Sequence, residues 1–402
     1  MGPRASEDRV RRAQADLLAD LIVAGAGLAG LCAAARAREL GAEPEVLEKG
    51  DRAGGSMLLS SCVIWRYRSL ESFRRECPVG DPALQALIVE RLDPALAWLE
   101  SLGAEVVTRR TGNPRTVGVR FDPRSLTDAL VRAAGRVQLG TPLPAEVGGP
   151  VVLATGGFGG ELARRLGIPL RANPWSEGDG RRFAEARDAA FRGHPEEFYG
   201  RLLPDAEVGA RDFVRAAQLY GRFGVLTDER GQALAQRPSW SEVELPPALV
   251  RAGGRGWLVV AADALERPVR ERSVADMVAV AAELGGEVRR APRLEELGLS
   301  ELRAHPLLRR PPFTAVRVVP AVTHTIGGIA IDAQARVLRA DGSPVPGLYA
   351  AGADVGGIST GGYASGLAAA LVLGRVAAET VATAGGTRRA ASRPAAGRDQ
   401  SS

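Results

Sequence analysis

The chain has 402 residues, of which 45% are hydrophobic and 25% charged, with a net charge of +5; this balance excludes disorder as the default reading. Arginines are spread along the whole sequence and Lys49 is the only lysine, so the positive charge forms no basic patch with interleaved aromatics, and no nucleic-acid partner is expected. Cys32, Cys62 and Cys77 have neither metal-ligand nor CxxC spacing, and an odd count gives no disulfide framework; with no apolar run read as the ~20 residues that span a bilayer, the expectation is a cytoplasmic protein without a membrane partner.

In chain order, residues 21 to 24 (LIVA) form a short apolar strand, followed by the turn GAGLAG and an alanine-rich helix to about Leu40. EPEVLEK is the next strand candidate, which makes a strand, turn, helix, strand unit and implies parallel pairing in an α/β domain. The spacing of Leu84, Leu87, Ile88, Leu92, Leu96, Trp98 and Leu99 predicts a helix from Pro82 to Leu102, and Ser125 to Ala134 begins another. PVVLATGGFGG, residues 150 to 160, reads as a buried strand closed by a glycine-rich turn. From residue 196 to about 312 the pattern is mixed and interrupted by prolines, as expected of a separate domain. Strands with glycine-rich ends return in TAVRVVPAVTHTIGGIAID and PVPGLYAAGADVGG, SGLAAALVLGRVAAETV predicts a helix, and residues 385–402 read as a disordered tail.

GAGLAG fits GxGxxG in the context that motif requires. Gly25 permits the tight turn, Gly27 lets backbone approach a pyrophosphate, and Gly30 lets helix and strand pack closely. The helix that starts near Leu28 and Ala29 offers free N–H groups and its positive end to that pyrophosphate. Glu48, at the end of the second strand, is positioned to accept from a ribose hydroxyl. The motif alone leaves FAD and NAD open.

EKGDRAGGS, Glu48 to Ser56, resembles the flavin-binding continuation of the fumarate reductase and succinate dehydrogenase flavoprotein family. VVLATGGFGG, the GDG of NPWSEGDG, VTHTIGGIAID and VPGLYAAGADVGG agree with that family in order and cover nearly the whole chain. The resemblance implies an α/β fold: a Rossmann-like FAD-binding domain with a parallel sheet (residues 1–195 and 313–384), split by an inserted α+β capping domain (196–312) against which substrate is held. It further implies FAD contacts at Lys49, Gly54, Gly55 and Ser56, at Ala154, Thr155 and Gly156, at Asp179, and at Gly327, where backbone would approach the isoalloxazine. Gly352 and Asp354 follow in the C-terminal pieces, Asp354 as acceptor from the ribityl hydroxyls. Ser365, Gly366 and Leu367 begin a helix whose N–H groups would face the flavin pyrimidine edge. Family members with covalent flavin have a histidine after GGS; here Met57 stands there, so noncovalent FAD is expected.

The sequence departs from the family at the substrate. The position matching the family's cap-domain arginine is Ser241, and no arginine lies between Arg339 and Arg375, where the family has a second. The family's substrate histidine matches Thr323, one residue before His324, and strand alternation would send His324 to the opposite face. Ketosteroid dehydrogenases, a related group, use tyrosines instead, and the remaining phenols are Tyr199, Tyr220 and Tyr363. These three and His324 are the candidates for proton transfer, with Ser241 lining the site. No metal ligand set and no nucleophile elbow is present.

The expected activity is therefore an FAD-dependent oxidoreductase that moves a hydride between flavin N5 and a carbon of a small-molecule substrate. Desaturation next to a carbonyl, or its reverse, is favoured over fumarate or succinate, with a substrate less charged than fumarate and an external electron acceptor or donor. A degenerate FAD-binding scaffold, suggested by Ala233-Leu234 where the family often has Arg-Phe, and a flavin monooxygenase are the alternatives.

Overall fold

The computed structural model describes residues 20–234 and 239–391. Its first sheet has six strands in the order Arg336–Leu338, Pro344–Ala350, Val151–Leu153, Leu21–Ala24, Pro44–Leu47, Val137–Gln138. All neighbours are parallel except the terminal hairpin of Arg336–Leu338 with Pro344–Ala350. Leu21 to Ala24 are all buried, because a parallel strand covered on both faces has no solvent side and is apolar at every position.

The helix Leu28–Glu39 leaves the first strand through the glycine turn. Gly25 has φ +104°, and a Cβ there would lie 2.2 Å from the Ala154 carbonyl oxygen; a Cβ on Gly30 would lie 1.9 Å from the Gly25 oxygen. Small residues therefore set how closely helix and sheet approach. The same device recurs where the C-terminal helix Gly366–Ala391 crosses this helix: a Cβ on Gly374 would stand 2.3 Å from the Ala29 oxygen. Residues Gly366–Ala384 are apolar and long enough to cross a membrane by length and composition, a segment passed over in the sequence because Arg375 and Glu379 interrupt its apolar run. Leu371, Val372, Leu373 and Ala377 along it are buried in the core. The helical backbone continues through Gly385 to Ala391, into the segment read as tail, while 392–402 lie outside the described residues.

The helix Pro82–Ser101 starts one residue after Asp81, whose carboxylate accepts from the Ala83 and Leu84 N–H groups, and Asp122 caps Pro123–Ala134 in the same way. An aspartate followed by proline is a strong start signal, since proline at the first helical position lacks a donor that would go unused.

The second sheet has the order Val225–Asp228, Gly256–Ala261, Phe313–Thr325, Val288–Ala291, and Phe198–Pro204 pairs with the far half of the long strand Phe313–Thr325. That long strand, assigned above to the second flavin segment, pairs along its length with Gly256–Ala261, Val288–Ala291 and Phe198–Pro204, all from the stretch expected to form the inserted domain, and Gly328–Ile329 follows it. A β-bulge interrupts its pairing between Val322 and His324. A small hairpin, Pro268–Val269 with Arg272–Ser273, turns at Arg270 and Glu271.

Candidate functional site

A cavity of about 1200 Å³ is lined by residues of both sheets, and one end of it is built around the glycine turn. A Cβ on Gly27 would meet no protein atom within 4 Å and would stand in the cavity itself. That open space beside the first N–H groups of Leu28–Glu39 fits a pyrophosphate. Glu48 is 5% exposed; one carboxylate oxygen accepts from the Ala26 N–H at 2.8 Å and the other from the Gly50 N–H at 2.7 Å. It therefore clamps two turns together as well as facing the cavity. Lys49 pairs with Asp179 at 2.5 Å, and Asp179 also accepts from Arg182. Trp175 lies over Gly50, where any Cβ would enter its ring, and the Arg52 guanidinium lies over the Trp175 ring at 4.9 Å.

Most residues singled out for the cofactor line this cavity: Gly25, Gly27, Leu28, Ala29, Glu48, Lys49, Gly55, Ser56, Ala154, Thr155, Gly156, Asp179, Gly352, Ser365, Gly366 and Leu367. Four do not. Gly30 is spent on helix packing, and Gly54, at φ +104°, donates its N–H to the Ala26 carbonyl. Gly327 is pressed against the His194 carbonyl, 2.5 Å from its hypothetical Cβ, so it serves loop packing rather than a flavin approach. Asp354 is also removed from the cavity wall. Its carboxylate accepts from the N–H groups of Thr155, Gly156 and Gly157 and from the Thr155 hydroxyl. Burial pushes it up to about 6 while those bonds hold it down, so Asp354 shapes the Ala154–Gly157 turn instead of presenting itself to a ligand.

The other end of the cavity is aromatic and cationic. On the strand Phe198–Pro204, Tyr199 and Arg201 are two residues apart and so share a face. The Tyr199 ring stacks on Tyr363 at 4.4 Å with planes 16° apart, and the Arg201 guanidinium carbon lies 4.9 Å from the Tyr199 ring and 5.9 Å from that of Tyr363. The Tyr67 hydroxyl donates to the Tyr363 carbonyl at 2.5 Å, and Trp65 and Trp240 pack against the Tyr363 ring. Burial resists ionisation of Tyr199, but the charges of Arg201 and Arg171 and the Tyr363 hydroxyl outweigh it and bring the phenol below its ordinary range. Tyr363 is shifted the opposite way, by burial and by Tyr199 itself. The pair thus holds one phenol ready to lose a proton beside one that keeps it.

The bulge corrects the expectation for His324. Strict alternation would turn it away, yet Thr323 and His324 both line the cavity, because the extra residue of a bulge breaks the two-residue period. Thr323 accepts from Arg171 at 3.3 Å, and His324 sits 5.2 Å from Tyr199 against the first turn of the C-terminal helix. Burial lowers His324 to about 4, so its ring is neutral at pH 7.

Two other candidates fall out. Tyr220 is 0% exposed within the apolar cluster of the second sheet, with no partner for its hydroxyl; it is a core residue. Ser241 is also buried off the cavity: its hydroxyl pairs with Ser239 at 2.9 Å and its carbonyl accepts from Arg201. The neighbouring Trp240 lines the cavity instead. Arg171, Arg201 and Arg270, none in a recognised motif, are the residues sequence reasoning missed. For Arg201 the signal was present, a charge inside the wholly apolar strand FYGRLLP.

Comparison with known proteins agrees with this geometry. The profile of the FAD binding domain family matches residues 20–145 and 145–367. The chain is 25% identical over 442 aligned residues to a probable fumarate reductase of Shewanella frigidimarina, covering 90% of this chain and 74% of that one. Over a segment of 51 residues, 13% of this chain and 9% of the relative, it is 51% identical to a KsdD-like steroid dehydrogenase of Mycobacterium tuberculosis. Its fold is that of a 3-ketosteroid delta1-dehydrogenase from Sterolibacterium denitrificans, with TM-score 0.70, 17% identity and coverage of 91% of this chain and all of that one. A flavocytochrome c3 fumarate reductase gives 0.68 at 21% identity, over 94% and 81% of the two chains. A GxGxxG turn with an open phosphate cradle and a family profile along most of the chain lead to one assignment: the protein belongs to the FAD binding domain family and is an FAD-dependent oxidoreductase, with fumarate reductases and ketosteroid dehydrogenases among its relatives.

Proposed function

We propose that the protein binds FAD noncovalently and desaturates a carbon–carbon bond next to a carbonyl, or runs the reverse reduction, on a substrate other than fumarate or succinate. The observation that carries this reading is the stacked Tyr199–Tyr363 pair beside Arg201 in the cavity wall. When bound, FAD supplies the hydride acceptor, or the donor in the reverse direction.

The protein's own residues do the rest. Tyr199, held below the ordinary phenol range by the adjacent guanidinium groups, takes the proton from the carbon beside the carbonyl. Tyr363, which keeps its proton, donates a hydrogen bond to the carbonyl oxygen, where negative charge gathers as that proton leaves. His324 is neutral and fills the space beside Tyr199. The N–H groups of Gly366 and Leu367 open the C-terminal helix and offer a partial positive charge to whatever anionic edge lies there. Trp65 and Trp240 close the wall and exclude water.

Steroid dehydrogenases among the relatives and structural neighbours support the desaturation reading. Against fumarate stands the absence of an arginine at Ser241 and between Arg339 and Arg375. Met57 supports noncovalent attachment, since its thioether lines the cavity where a histidine would be needed for a covalent bond. The test is a yellow, FAD-loaded preparation that releases all flavin on acid precipitation, can be photoreduced, and is reoxidised by an artificial quinone. A flavin that reduces and reoxidises no differently from free FAD, with every ketone tried, would end the reading.

A further inference from the structure

The cavity wall is unevenly charged. Its acidic residues are already occupied: Glu48 by two N–H groups, Asp179 by Lys49 and Arg182, Glu271 by Arg120. Five arginines of the lining have no carboxylate within ion-pair distance among the described residues: Arg110, Arg272, which donates to the Arg215 and Ala217 carbonyls, and the three that act on Tyr199, namely Arg171, Arg201 and Arg270. The Arg171 guanidinium donates only to the Phe213 carbonyl at 2.9 Å and to the Thr323 hydroxyl at 3.3 Å among the described residues. Arg201 donates to the Ser241 carbonyl. Arg270 makes no hydrogen bond or ion pair with any described residue, although it occupies the turn of the hairpin Pro268–Val269 with Arg272–Ser273 at φ +59°.

For the partly buried Arg171 and the buried Arg201 this is unfavourable in the free protein, whereas Arg270 is exposed and keeps its hydration. A buried guanidinium satisfied only by neutral oxygens bears a desolvation penalty that a counter-ion would relieve. A two-residue hairpin loop takes a positive φ at its first position, and from that turn Arg270 reaches the cavity. The positive field is felt by Tyr199, on which Arg171, Arg201 and Arg270 all act as nearby cations. The phosphate cradle at Gly27 belongs to the other end of the cavity, so the arginines are not explained by the cofactor's pyrophosphate.

We propose that the substrate carries a carboxylate in addition to its carbonyl, and that Arg171, Arg201 and Arg270 receive that carboxylate beside the Tyr199–Tyr363 pair. The planar fork of an arginine matches a carboxylate through two parallel hydrogen bonds, and the three come from different elements, so they fix direction as well as charge. This assigns a keto acid rather than the uncharged ketone that a tyrosine-only site would take. It rests on the tyrosine reading for which atom of the substrate reacts, and on the arginines for how the substrate is held.

The experiment uses FAD-loaded protein at pH 7 and a panel of pairs: levulinate, 3-oxocyclohexanecarboxylate and 4-oxocyclohexanecarboxylate, each with its methyl ester, titrated against the flavin absorbance spectrum. At least one acid binds tenfold or more tighter than its ester, as the loss of one charge-assisted bond requires. In Arg270→Gln, and separately in Arg171→Gln, that ratio falls to about threefold or less while FAD content stays at wild-type level. Equal binding of acid and ester across the panel, no acid-specific perturbation at all, or an acid preference that survives both substitutions overturns the proposal. Because the readout is binding, it is independent of the tyrosines: unimpaired turnover in Tyr199→Phe with acid preference intact would refute the tyrosine reading and leave this one standing.

Discussion

Replacing Glu48 by glutamine separates two roles that one carboxylate can play. In the structure each oxygen takes a different backbone donor, Ala26 N–H in the glycine turn and Gly50 N–H in the following turn. Glutamine keeps one oxygen and sets an NH2 group against the other N–H. The retained bond loses its charge assistance, about 1 kcal/mol, and the orphaned buried donor costs about 1–3 kcal/mol. The sum is about 2–4 kcal/mol, felt before any cofactor binds, and for a chain of this length corresponds to a melting temperature lower by roughly 2–5 °C. The assay is thermal unfolding of apoprotein prepared by removing the flavin, followed by FAD titration. Glu48→Gln apoprotein melts early, and FAD binds at least tenfold more weakly because the glycine turn is no longer fixed. An apoprotein of wild-type stability combined with weakened FAD binding would refute the clamp and leave Glu48 as a ligand contact alone.

Four further outcomes follow from the same geometry. Gly27→Val places two methyl groups in the open space of the phosphate cradle, so the purified variant is colourless and stays so with added FAD, while its circular dichroism matches wild type. Tyr199→Phe and Tyr363→Phe each lower turnover by about a hundred- to ten-thousandfold, the usual worth of a positioned acid or base. Since the desaturation needs Tyr199 unprotonated, its rate rises with pH through an ionisation below that of an ordinary phenol, and Arg201→Gln moves that limb upward. His324, lowered from 6.5 to about 4, binds fewer protons folded than unfolded, so its contribution to stability is lost as pH falls from about 6.5 to 4, by about 3 kcal/mol in all. Asp354 and Glu242, raised to about 6 and about 7, act in the opposite sense, so the measurement is the difference between His324→Gln and wild type, which grows in favour of the variant on acidification.

The flavin half was legible because its constraints are local. Gly25, Gly27 and Gly30 each need the absence of a side chain for a reason that spacing reveals, and Asp81 and Asp122 announce their helices by preceding proline. Asp354 shows where such reading stops: an acid at a strand end looks like a ligand contact, and only the fold reveals three N–H groups from residues 155–157 waiting for it. The bulge at Val322–His324 is likewise absent from the pattern, since a two-residue period carries no mark of one extra residue. Arg171 and Arg270 come to the tyrosines from outside any motif, brought there by an ordinary loop and a hairpin turn. Tyr220 and Tyr199 sit in similar-looking contexts, YGR in both cases, yet Tyr199 lies on the strand Phe198–Pro204 whereas Tyr220 precedes a short turn and is buried in the apolar cluster.

The loss of the cap-domain arginine then has a structural counterpart. Ser241 turns its hydroxyl to Ser239 and its carbonyl to Arg201, so the positive charge reaches the same neighbourhood from the strand Phe198–Pro204 rather than from the loop. A strand paired along its length holds a side chain more firmly than a loop does, and Arg201 is 5% exposed. The charge beside Tyr199 is therefore set by the sheet and is independent of the Ser241 side chain. Ser241→Ala removes one neutral hydrogen bond, costs about 0.5–1.5 kcal/mol of stability, and leaves turnover within a factor of about three. Arg201→Gln, which keeps a donor for the Ser241 carbonyl but removes the charge, lowers turnover at pH 7 at least tenfold, with recovery toward higher pH as Tyr199 ionises unaided. Equal losses in both variants would mean that the loop, and not the strand, holds the chemistry in place.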